Sequence, residues 1–220
     1  MAMDASRTVP RLARALVAIL VVATGPALAS DLRFTVFRDG TPIGTHRIQV
    51  EQVGDETRVA VDIALEVKIA FVTVYRYSHR NREVWRDGRL VSIDTATDDD
   101  GTREFVQGKA GPAGLAVRST AGSYTAPADV LPTSYWRRPT VDRRQLLDTQ
   151  KGRLLGVRVE RADPPGDRAA RYRVRGELDL DLWYDGDDRL RRIAFDFKGS
   201  QFDYAPVGQP APAPRTAAIR

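Results

Sequence analysis

The chain is expected to be all-β: a large curled antiparallel meander, barrel or open half-barrel, of about 11–13 strands with one irregular insert. Three observations predict this. First, residues 59–69 alternate, with Val59, Val61, Ile63, Leu65, Val67 and Ile69 on one face and Arg58, Asp62, Glu66 and Lys68 on the other. After Ala70-Phe71-Val72 the alternation resumes, placing Thr73, Tyr75, Tyr77, His79, Asn81, Glu83 and Trp85 in one row against Arg76, Arg80, Arg82 and Arg86. Alternation of this length means two half-buried strands. Second, short turns rich in Asp and Gly recur between apolar runs, the mark of hairpins. Third, helical spacing is almost absent. A sheet of this size, apolar on one side, must curl or fold over in water, and near closure also shields its edges from other chains.

Taken in order, residues 32–37 read as a strand, followed by the turn Arg38-Asp39-Gly40, where glycine is free to take positive φ. A second strand covers 45–53, and Gly54-Asp55 leads into the long strand at Val59. Asp87-Gly88 separates Trp85 from a strand over 90–96, and Asp98-Asp99-Asp100-Gly101 turns the chain again. Shorter strands at 102–107 and 115–119 flank a Gly/Pro connection. The pattern then fails over 127–150, which holds Pro132, Pro139, Ser134-Tyr135-Trp136 and a short helix expected over 141–147. A loop this long in a compact domain is either functional or disordered, and its Tyr135, Trp136, Leu146 and Leu147 argue for ordered packing. Strands return at 153–161 and 170–175, with Pro164-Pro165-Gly166-Asp167 between them. Residues 178–184 alternate Leu and Tyr with acidic residues and Trp183, then 189–197 and a short strand ending at Tyr204 follow. The Pro- and Ala-rich tail 205–220 has little to bury and is expected to be disordered.

The first 29 residues read as a secretory signal peptide. Arg7, Arg11 and Arg14 precede the apolar run 15–24, then Gly25-Pro26 and Ala27-Leu28-Ala29. The apolar run is shorter than the roughly 20 residues needed to span a bilayer, so no transmembrane anchor is expected after cleavage. The expected compartment is the periplasm, or alternatively the medium, and residues 30–204 form one β-rich domain. The chain has no cysteine, so burial alone must hold the fold. Residues 1–29 carry three Arg and one Asp, so the net charge falls from +5 to +3 without them. The remaining basic and acidic residues are interspersed along strands, which argues against a nucleic-acid partner despite a pI near 9.7.

No thiol chemistry is available, and the two histidines, His46 and His79, fit no zinc-binding spacing. There is no nucleophile elbow and no Gly-rich phosphate loop, so no cofactor, metal or catalytic set is implied. Asp98-Asp99-Asp100-Gly101 lacks the ligand pattern of a calcium loop and reads as a hairpin turn. His46 shares its face with Ile48 and Val50 and should hydrogen-bond within the core. The row of Tyr75, Tyr77, His79, Asn81, Glu83 and Trp85 offers hydroxyl, imidazole, amide and carboxylate groups that could orient a ligand in a cavity. The alternative is that the row lies near a barrel end or faces solvent, with the Arg row packed by its stems. His79 and Glu83 are about 13 Å apart along the strand and cannot pair. Ser134, Tyr135 and Trp136 suit either a lid over a cup, with Lys151 or Arg153 beside it, or a plug in a barrel end. Tyr75, Tyr77, His79, Glu83, Trp85, Tyr135 and Trp136 are thus the candidate ligand-binding residues.

The chain carries Arg-Asp-Gly-x-x-Ile-Gly-x-His at 38–46, Glu-Val-Trp-Arg-Asp-Gly-Arg-Leu at 83–90, Ser-Tyr-Trp at 134–136, Leu-Trp-Tyr-Asp at 182–185 and Gly-Ser to Tyr at 199–204. In these motifs it resembles a family of uncharacterised exported bacterial proteins, a domain of unknown function. The resemblance implies an exported, β-rich single domain and supplies no reaction. In architecture the chain is also similar to periplasmic lipid and lipoprotein carriers with an open barrel.

The reading these observations favour is a soluble periplasmic carrier for a hydrophobic or lipid-like small molecule. A second is an envelope assembly factor that binds another protein through its insert or a sheet edge, with an apolar patch exposed near Tyr135 and Trp136. A third is a hydrolase or isomerase using His79, Glu83 or a tyrosine as acid or base.

Overall fold

The computed structural model describes residues 29–163 and 169–213. Residues 1–28, the Pro164-Pro165-Gly166-Asp167 turn and the end of the tail lie outside the described residues. The first arm of the fold comprises β1 (Ala29–Arg38), β2 (Thr41–Val53), β3 (Glu56–Ile69) and β4 (Val72–Arg86). It continues through β5 (Arg89–Asp99), β6 (Thr102–Gly111), β7 (Gly114–Ser119) and β8 (Gly122–Ala126). The second arm comprises β9 (Leu131–Pro132), β10 (Gln145–Leu147), β11 (Leu154–Arg161) and β12 (Ala170–Gly176). Then come β13 (Leu180–Tyr184), β14 (Leu190–Phe197) and β15 (Ser200–Pro206).

All fifteen strands belong to one curled sheet in the order β8-β7-β6-β5-β4-β3-β2-β1-β15-β14-β13-β12-β11-β10-β9. The first and last strands pair at its centre, Val36 opposite Tyr204, and each arm grows outward by hairpins. Every pairing is antiparallel except that of β9 with β10. The sheet is not closed by hydrogen bonds: β8 and β9 are its edges. They are joined by residues 127–130 alone, where the Val130 N–H donates to the Pro127 carbonyl at 3.1 Å.

Strand length and alternation follow the expectation, but the strands are more numerous. The additional ones are β8, β9 and β10, of five, two and three residues, too short to show periodicity. The helix expected over 141–147 is not formed. A 3₁₀ turn occupies Arg138–Asp142, opened by Pro139, and Leu146 and Leu147 instead pair in β10 with Leu155 and Leu154. Proline suits the first helical turn, where its missing N–H has no intrahelical role. The final strand also runs past Tyr204: Ala205 is buried and the Val207 N–H donates to the Arg33 carbonyl at 2.9 Å.

Successive hairpins place the turns at 39–40, 70–71, 100–101, 120–121 and 198–199 at one end, here the upper end. Those at 54–55, 87–88 and 185–189 mark the lower end. The inward face holds one continuous core that includes Phe34, Ile48, Trp85, Leu147, Leu182 and Tyr184. The outward face of β13 is covered as well. The Trp183 ring lies between the guanidiniums of Arg171 and Arg192, at 5.2 and 4.6 Å, while Asp181 and Asp203 hold those arginines.

The two arms also meet at the upper end. Gly152, with φ of +69°, sits so close that a Cβ there would lie 2.5 Å from the Ser119 Cβ and 3.2 Å from the Val106 side chain. Gly152→Ala is therefore expected to destabilise the fold by about 1–3 kcal/mol, through positive φ and overpacking together. The urea unfolding midpoint measures it, and an unchanged midpoint would mean that the arms do not meet there.

Candidate functional site

The long hairpin β3–β4 carries the site. Inward side chains of β4 change from open to sealed along the strand. Thr73, Tyr75 and Tyr77 are half-buried, whereas His79 is 3% exposed and Asn81, Glu83 and Trp85 are each 1% exposed. The facing strand follows the same gradient: Val59 and Val61 are buried, Ile63, Leu65 and Val67 only partly. The polar-aromatic row thus faces inward, and Arg76, Arg80, Arg82 and Arg86 face solvent or lie near it.

At the lower end the row stops in a buried carboxylate. The Glu83 oxygens accept from Asn81 Nδ2 at 2.7 Å, Trp85 Nε1 at 2.8 Å and Trp136 Nε1 at 3.1 Å. The Ser134 hydroxyl bonds the same carboxylate. Desolvation raises the Glu83 pKa above the usual range, and these donors only partly oppose it. The Trp85 and Trp136 rings meet edge to face at 5.7 Å, and the Arg137 guanidinium lies 4.9 Å from one and 5.3 Å from the other. Arg137 also donates to the Gly88 carbonyl at 3.1 Å, and the Tyr184 hydroxyl donates to the Tyr135 carbonyl at 2.8 Å. The insert is therefore a plug across the lower end, pinned to β4 and β13. It is not a lid, and its Tyr135 and Trp136 turn inward rather than forming an exposed apolar patch. Lys151 and Arg153 lie in the β10–β11 turn at the upper end, away from the plug.

Higher in the cup, His79 Nδ1 and Thr97 Oγ1 are 2.8 Å apart, sharing a hydrogen bond. His46 is buried between Phe34 and Tyr204, with ring centroids at 5.8 and 5.6 Å. Neither of its ring nitrogens has a protein hydrogen-bond partner, contrary to expectation. Burial lowers the pKa of His46 to about 3 and of His79 to about 4, so both are neutral at physiological pH. Above them is an apolar and aromatic mouth: Leu65, Val67, Tyr75, Tyr77, Phe195 and Phe202, all only partly buried. Tyr77 is enclosed by protein, which raises its pKa strongly, yet keeps access to solvent. A side chain in that state lines a concavity. The Tyr75 hydroxyl donates to Asp99 at 2.7 Å, and the rings of Phe195 and Phe202 stack at 5.0 Å. A concavity of about 980 Å³ lies where β2 and β5 stop short of the β3–β4 tip, but it opens on the outward face: Glu66, Lys68, Arg76 and Ser78 line it beside Leu65 and Tyr77.

The seven candidate residues fall into two groups. Glu83, Trp85 and Trp136 share one hydrogen-bonded node at the sealed end, with Tyr135 in the same plug. Tyr75 and Tyr77 belong to the open end, and His79 lies between. Leu65, Val67, Phe195 and Phe202 were missed as site residues, because an inward apolar residue on a strand reads as core wherever along the strand it falls. Among the described residues, no group of three or more His, Cys, Asp or Glu side chains could hold a metal ion.

Fold and site together define a β-barrel-like cup, built from one sheet, stoppered at one end and open at the other. The chain belongs to the family described as Domain of unknown function (DUF6134), whose profile matches residues 34–207. A similar solved structure is the crystal structure of a beta-barrel-like protein of domain of unknown function DUF1849 from Brucella abortus. It is 11% identical, with a TM-score of 0.52 over 81% of this chain and 94% of that one, a likeness of fold alone. No curated protein matches the sequence.

Proposed function

We propose that this protein is a binding or carrier module for a hydrophobic, lipid-like molecule in the cell envelope, taken up at the upper mouth of the cup. The observation that carries this reading is the burial gradient. The same inward rows that are sealed around Trp85 stay partly open at Ile63, Leu65 and Tyr77, where strands still flank the hairpin, and at Val67 and Tyr75 just above the rim. An apolar ligand covering them would gain about 25 cal/mol per Å² of apolar surface removed from water. The tyrosine hydroxyls at the mouth suit the polar end of such a molecule. The plug side chains are already engaged by Glu83, which speaks against the insert as a protein-docking surface and against Glu83 as a catalytic acid open to substrate.

Titration with a dansyl-labelled fatty acid tests the reading. The wild-type protein is expected to give a saturable rise in fluorescence, and Val67→Glu to weaken it at least tenfold while leaving the far-ultraviolet spectrum unchanged. No saturable rise with the wild-type protein would overturn the carrier role.

A further inference from the structure

The β3–β4 hairpin outgrows the sheet that supports it. β2 pairs with β3 only as far as Leu65, opposite Gly44, and β5 pairs with β4 only as far as Tyr77, opposite Asp99. One backbone bond, from the Asp100 N–H to the Arg76 carbonyl, reaches a residue further. Four more rungs then stand without flanking strands: Glu66–Arg76, Val67–Tyr75, Lys68–Thr73 and Ile69–Val72. At about 3.3 Å per residue they lift the turn about 13 Å above the rim. Ala70, with φ of +55°, makes the turn.

This ribbon ends in apolar side chains. Phe71 is 99% exposed, Ile69 68%, Val72 66% and Val74 46%, four of the seven large hydrophobic residues exposed among the described residues. Phe197, a fifth, lies beside the 198–199 turn at the same end, with the Lys198 ammonium 5.2 Å from its ring. Scattered exposed hydrophobics are ordinary, but a cluster raised on an unsupported hairpin marks an interaction site. Charge is layered beneath it. Lys68 stands on the second rung, directly below the apex, and Arg76 on the fourth, at the base of the ribbon; both pair with Glu66, each at 3.2 Å. Thr73, donating to Glu66 at 2.6 Å, helps hold that carboxylate ionised. Two cations thus share one anion and the ribbon is left net positive. The acidic turn Asp98-Asp99-Asp100 lies at its base, where Tyr75 bonds Asp99.

We propose that the β3–β4 tip is a membrane-docking wedge that inserts Ile69, Phe71 and Val72 into an anionic lipid surface, with Lys68 at the level of the phosphate headgroups and Arg76 two rungs behind it. The order along the ribbon, apolar apex then cations, matches the order met on entering such a surface. A convex wedge of four side chains also fits a deformable medium better than a second copy. Apex against apex would set Lys68 and Arg76 of each ribbon near their like-charged counterparts. Nor could so few side chains bury the roughly 1,200 Å² of a stable interface. The wedge does not depend on the cup holding a ligand.

The chain has no cysteine, so Ala70→Cys gives a single labelling site at the apex. An environment-sensitive fluorophore there is expected to shift to the blue with phosphatidylglycerol/phosphatidylethanolamine vesicles and to be quenched by nitroxide-labelled lipid. The same label at Asp55→Cys, at the lower end, is expected to stay in water. Ile69→Ser with Phe71→Ser should weaken the apex response at least tenfold. Lys68→Glu with Arg76→Glu should weaken it on anionic vesicles and leave the small response to phosphatidylcholine vesicles unchanged. Absence of an apex shift, or one that survives Ile69→Ser with Phe71→Ser, overturns the proposal. So does a blue shift that grows with protein concentration without vesicles, which would assign the tip to a second copy.

Discussion

Glu83→Ala is expected to lower the stability of the fold by about 3 kcal/mol or more, because each buried donor left unpaired costs about 1–3 kcal/mol. Three hydrogen bonds to that carboxylate have donors at 3.1 Å or less, two of them indole N–H groups. Ser134 supplies a fourth donor. The loss also loosens the insert, since the hydrogen bonds of Trp136 and Ser134 to β4 both end on this one side chain. Urea unfolding followed by tryptophan fluorescence is the measurement. Glu83→Gln is expected to lose much less. The Gln oxygen can keep both indoles, and Asn81, whose Oδ1 has no protein partner, can turn its amide to accept from the new NH₂ group. Equal losses for the two substitutions would show that charge, and not the count of acceptors, holds the plug.

Acid is expected to unfold the protein mainly through its two buried histidines. Their pKa values fall from 6.5 to about 3 for His46 and about 4 for His79, with burial as the leading cause in each. Between pH 6.5 and those values the unfolded chain binds protons that the folded chain refuses. Stability therefore falls as pH falls, by roughly 1.4 kcal/mol per pH unit for each histidine. Together they remove on the order of 5 kcal/mol by pH 4.5, comparable to the whole stability of a small domain. Glu83 works in the opposite sense. Its folded pKa is raised, so the cost it imposes at neutral pH is relieved as pH falls through that value. His46→Phe should shift the acid-unfolding midpoint downward and reduce the slope of stability against pH by up to about 1.4 kcal/mol per pH unit between pH 6 and 4.5. Phe34 and Tyr204, already packed on the imidazole, give the new ring an aromatic setting. A slope unchanged by the substitution would remove His46 as the cause.

Much of the architecture was legible because β-strands declare themselves locally. Residues 59–69 and 73–85 alternate so regularly that their strand character and hairpin pairing follow from the spacing, but whether the polar-aromatic row of 73–85 faced the interior or solvent did not. Leu146 and Leu147 were legible as ordered but not as a strand, since three residues of β10 have no period and are held only by β11 and β9. His46 reads as inward from Ile48 and Val50, yet nothing in the spacing foretold that it would pack between the rings of Phe34 and Tyr204 with neither ring nitrogen hydrogen-bonded. The site was half legible. Glu83 and Trp85 stood out in their row, and Ser134-Tyr135-Trp136 stood out in the insert. That Trp136 donates to Glu83, 53 residues away, was not readable, because neither segment carries a mark of the other.

The sequence by itself determined that this chain makes a single greasy-sided sheet, long enough to curl, whose first long hairpin carries both polar-aromatic and apolar rows. Only the tertiary structure decided which end of that curl is stoppered and which is open. Alternation fixes the direction a side chain points, not what lies beyond it. Glu83 and Tyr77 point the same way from the same strand, and the insert crosses in front of one and not the other.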